Sequence, residues 1–126
     1  MSTSSVRPAL DPLAHKAAID ALEAQRAAFR RYARALEAQR GALGGGDGDR
    51  AVAAVDRAAA DFVELSRGAA RLDPLVRRVQ EAGSLDQIRD MERQLELLTR
   101  EARAAEAAIQ NMTSQLEAWR DAYGRQ

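Results

Sequence analysis

Apolar side chains recur along this chain at alternating three- and four-residue steps, the period of an α-helix, in three long stretches. In the first, Leu22, Phe29, Leu36 and Leu43 repeat every seven residues, with Ile19, Tyr32 and Ala33 beside them. Asp11-Pro12 marks its start, since an aspartate can cap free amides and proline is tolerated in the first helical turn. The run Gly44-Gly45-Gly46-Asp47-Gly48-Asp49 ends it, because consecutive glycines lose too much backbone entropy to stay helical. In the second stretch Val55, Phe62, Ala69 and Val76 repeat at seven, with Val52, Leu65, Leu72 and Val79 alongside. Asp73-Pro74 interrupts it, and proline there predicts a kink or a break, the kept phase favouring a kink.

Gly83 closes the second stretch, and Ser84-Leu85-Asp86-Gln87 has the spacing of a reciprocal capping box. In the third stretch Ile88, Leu95, Ala102, Ile109, Leu116 and Tyr123 occupy one heptad position, and Met91, Leu98, Ala105, Met112 and Trp119 the other. A 3.5-residue period of this kind suits packing against a partner helix with left-handed supercoiling. The expected helices span 12–43, 50–82 and 85–123, joined by short turns that favour antiparallel return. The fold class expected is all-α: an elongated antiparallel three-helix bundle or coiled coil, formed as a single domain over 11–126 behind a flexible tail at 1–10.

Composition narrows the function classes. The charges balance, 19 against 19, so no overall field draws nucleic acid or an anionic membrane. Cysteine is absent, which excludes disulfides and thiolate metal sites. His15 is the only histidine, and no Glu-x-x-His set faces a bundle core, so neither a catalytic constellation nor a metal or cofactor is expected. The glycine-rich turn lacks the Lys and Ser/Thr of a phosphate loop. The opening residues carry no secretory apolar core, and no run reaches membrane-spanning length, so a cytoplasmic protein without membrane insertion is expected.

Two features remain as candidate interaction surfaces. Arg26, Arg30 and Arg34, with Arg31 adjacent, form a ridge on the first helix. Glu23 and Glu37 bracket it, which favours a solvated face over a nucleic-acid surface. On the third helix, Ala102 and Ala105 make a thin layer, after which the seam becomes large and soft: Ile109, Met112, Leu116, Trp119 and Tyr123. If this helix outruns the other two, those residues are a protein-binding surface, either for a different partner or for a second copy in a self-associating coiled coil. The alternative is that they pack against the first helix and the N-terminal segment.

The chain resembles the FlgN-type flagellar export chaperones. The resemblance lies in Leu36-Glu37-Ala38-Gln39-Arg40 and Ala42-Leu43 ending the first helix, the turn Gly46-Asp47-Gly48-Asp49, the spacing of Val55, Phe62 and Leu65, and a long last helix carrying Asn111. Pro74 and the single Asn in the last helix depart from that pattern. The resemblance implies a non-enzymatic cytoplasmic chaperone that holds hook–filament junction subunits for the type III export gate. It places the substrate on the C-terminal helical region, here Ile109 to Tyr123.

Overall fold

The computed structural model describes residues 9–124, apart from the side chain of Tyr123, as three helices and two short turns. Helix α1 spans Pro12–Gly44, α2 spans Gly48–Ala82 and α3 spans Leu85–Tyr123. The fold is thus an all-α three-helix bundle, with α1 and α3 parallel and α2 antiparallel to both. The caps are those the sequence predicts. Asp11 Oδ1 accepts from the Leu13 amide at 2.9 Å, and Asp47 Oδ1 from the Arg50 amide at 3.1 Å. Ser84 and Gln87 form the reciprocal box. Gly46 takes the left-handed φ of 73° that turns the chain into α2, which starts two residues before its expected position at 50. The second helix does not break at Asp73-Pro74: it runs continuously through Pro74, and Asp73 pairs with Arg77 at 3.2 Å.

Helix α1 is the central element. It packs along both neighbours, whereas α2 and α3 hardly touch each other. They meet near their connecting turn, where Leu22 and Ala18 of α1, Leu72 and Val79 of α2 and Met91 of α3 form the main core, joined by Leu10. Burying a leucine or methionine there contributes about 1.5–3 kcal/mol per side chain. Toward the other end the buried residues are mostly alanines. Ala35, Ala58 and Ala108 cluster with Leu36, and Ala42, Ala51 and Ala54 are also buried. Each alanine adds only about one methyl, near 0.8 kcal/mol. One end of the bundle is therefore strongly held and the other lightly.

Polar side chains fix the register. Gln25 is only 5% exposed, and its Nε2 donates to the Leu65 carbonyl at 2.9 Å, tying α1 to α2. Arg26 donates to Gln94 and Arg30 pairs with Glu101 at 3.0 Å, tying α1 to α3. Part of the arginine ridge thus holds helices together. His15 Nε2 lies 3.4 Å from Asp90 Oδ2 across the same pair of helices, without hydrogen-bond geometry.

The expected loose segment at 1–10 ends sooner than its last residue. Leu10 is buried, its amide donates to Gln87 Oε1 at 2.8 Å, and its carbonyl accepts from Gln87 Nε2 at 2.9 Å. A side-chain amide matches a peptide group in this way because both offer one donor and one acceptor at similar spacing. The rest of that segment, residues 1–8, lies outside the described residues.

Candidate partner-binding trough between α2 and α3

Because α2 and α3 both lean on α1 and little on each other, a trough is left between them, with α1 as its floor. At its deepest it holds a cavity of about 440 Å³, open to solvent and mostly apolar. Phe29 lies on the floor, Leu72 and Val76 form one wall, and Leu98 and Ala102 the other.

The walls continue past the cavity. On α2 the row that faces α1 is Ala51, Ala58, Leu65, Leu72 and Val79, a perfect seven-residue repeat. The row four residues on is Val55, Phe62, Ala69 and Val76; Ala69 and Val76 line the trough, and helical periodicity carries that face on to the exposed Phe62 and Val55. Both rows carry apolar residues in the sequence, and Leu65, Leu72 and Val79 of the first are buried where Val55 and Phe62 of the second are not. Toward the start of α2 the contact is filled by Ala51, Ala54 and Ala58, small side chains that let the helices lie close. Phe62, 55% exposed, leans its ring against Tyr32 of α1 with centroids 5.9 Å apart. Such a tilted ring pair contributes about 0.5–1.5 kcal/mol beyond area burial and fixes where the Phe62 ring stands.

On α3 the residues singled out from sequence separate into two groups. Met112 turns inward and is 5% exposed. Ile109, Leu116 and Trp119 stay 41%, 45% and 57% exposed. Tyr123 lies outside the described side chains. The α1–α3 contact reaches Gln115, whose Nε2 donates to the Arg40 carbonyl at 3.2 Å, and α1 ends at Gly44. Helix α3 then continues beyond α1 for about one turn, and Trp119 borders a hollow there with Leu43 and Gly44 of α1. Val55, Phe62, Ile109 and Leu116 are thus large apolar side chains that stay exposed at the lightly held end of the bundle. Isolated apolar residues on a surface are ordinary, but rows of them beside one trough make it the candidate binding surface.

Among the described residues no three His, Cys, Asp or Glu side chains converge as metal ligands, and the trough is mostly apolar, with Gln25, Asp73, Thr99, Arg103 and Glu106 at its borders. Nor is any helix among them long and apolar enough to cross a membrane. No family model, curated protein or solved structure matches the chain.

Proposed function

We propose that this protein is a non-enzymatic, cytoplasmic binding protein that holds an amphipathic helical segment of another protein in the trough between α2 and α3. The single observation that carries the reading is the pair of uncovered apolar rows, Val55 and Phe62 on one wall and Ile109 and Leu116 on the other. A helix laid between them gains a hydrophobic contact on two sides and on the α1 floor, the geometry of helix-in-groove recognition. The lightly held end of the bundle suits this role, since alanine layers let α2 and α3 adjust their separation at small cost. The resemblance to flagellar export chaperones gives the proposal its biological form: an export chaperone whose clients are hook–filament junction subunits.

The test is co-elution of the chain with a purified hook–filament junction subunit in size exclusion. Leu116→Ser with Trp119→Ser on α3, and separately Phe62→Ser on α2, each abolish the complex while the far-ultraviolet helical signal stays near wild type. Absence of any complex with the unmodified chain overturns the export assignment. Loss of helicity in both variants would instead make these residues core.

A further inference from the structure

We propose that, before a client arrives, the trough is filled by α3 of a second copy of this chain, in an antiparallel pair centred on Thr113. The inference rests on reading the trough as a helix-binding surface, and it names the first helix to occupy it. Its basis is the chemical order along the uncovered face of α3. Glu106, Ile109, Thr113, Leu116 and Arg120 follow one another at steps of three, four, three and four, so they share one face. All five are exposed, and Glu106 already stands at the edge of the deepest part of the trough.

That order is acid, aliphatic, small hydroxyl, aliphatic, base, and it is its own complement when reversed. A two-fold axis at Thr113 sets Glu106 against the partner's Arg120, and Ile109 against the partner's Leu116. Symmetry then makes each contact twice. Glu106 and Arg120 are about 21 Å apart along the axis, so the paired face spans nearly four turns. Within one chain Glu106 has no ion pair among the described residues, and Arg120 meets only the adjacent Asp121 at 3.7 Å, both well exposed. The incoming helix also meets Val55 and Phe62 on the α2 wall, so each copy's trough receives the other's α3 and the contact closes on itself as a dimer. A net charge of zero imposes no long-range repulsion between two copies. An unrelated partner would give no reason for opposite charges to bracket the apolar pair symmetrically on one strip of this chain. Exposed ion pairs contribute little each, so the pair is weak enough for a client to displace.

Light scattering after size exclusion over a range of concentrations, with the full chain, tests this. The unmodified protein is a dimer that dissociates on dilution. Glu106→Arg sets a guanidinium against the partner's Arg120 at both ends and weakens pairing by about tenfold or more. Arg120→Glu does the same with two carboxylates. An equimolar mixture of the two single variants restores pairing, because every contact is again between opposite charges, and the double variant restores it alone. All these positions are exposed, so the helical signal is unchanged throughout. A monomer at every concentration, or a mixture no tighter than its separate components, overturns the proposal. A monomer that still binds client through the trough overturns self-pairing alone, whereas intact pairing without client binding overturns the functional reading alone.

Discussion

The side-chain oxygen of Gln25 occupies the space that a β-carbon on residue 68 would need: built on Gly68, that atom would collide with Gln25 Oε1. Gln25 is buried and holds α2 through the Leu65 carbonyl, so glycine at 68 is the counterpart of a polar pin between α1 and α2. Gly68→Ala therefore displaces the glutamine amide and costs about 1–2 kcal/mol, more than the roughly 1 kcal/mol that alanine returns in helix propensity. In a Gln25→Ala background the same change meets open space and stabilises. Urea unfolding of the two single variants and the double variant measures this reversal of sign, and additive effects would contradict the interlock.

The difference between the two ends of the bundle sets a gradient of local stability. Leu22→Ala and Met91→Ala remove side chains from the main core and cost about 2–5 kcal/mol each. Ile109→Ala removes an exposed one and costs less than about 1 kcal/mol. Amide hydrogen exchange follows the same order: amides near Val79 and Met91 exchange last, and those around Val55 and Leu116 first. Uniform protection along α2 would show that the alanine layers hold as firmly as the leucine core.

Gln87 joins two devices. Its Oε1 accepts from the Ser84 amide at 2.9 Å and from the Leu10 amide at 2.8 Å, while its Nε2 donates to the Leu10 carbonyl. Gln87→Ala is expected to cost about 1–3 kcal/mol, by loss of half the capping box and of the clasp together. Deleting residues 1–10 removes the clasp and the burial of Leu10. Combined with Gln87→Ala, it should cost less than the sum of the two, because the clasp can be lost only once. Thermal unfolding of the three variants checks this.

Much of the fold was legible in the residues themselves. Helix boundaries followed from Asp11-Pro12, Gly44 to Asp49 and the Ser84–Gln87 box, because capping is local chemistry. The α3 seam was legible as far as Leu98, where leucine, isoleucine and methionine coincide with the buried face. Beyond it only one heptad row tracks burial: Ala105 and Met112 are buried as their positions predict, joined by Ala108, whereas Ile109 and Leu116 of the other row stay outward. On α2 two apolar rows four residues apart compete for the seam. Choosing between them requires the spacing from α1, a tertiary quantity that residue size points away from. The Gln25–Gly68 interlock was equally hidden, since a lone glycine in a helix reads only as a propensity cost until its neighbour is known.

The trough as a two-walled helix site is tested most directly by the emission of Trp119, the only tryptophan in the chain, which stands exposed near the end of α3 beside Leu116. On titration with a purified hook–filament junction subunit, its emission shifts to shorter wavelength and saturates. In the Phe62→Ser variant, altered only on the α2 wall, the shift needs at least about tenfold more subunit, corresponding to a loss of roughly 1.4 kcal/mol. An unchanged titration curve in that variant would contradict the account, because α3 alone would then be holding the client.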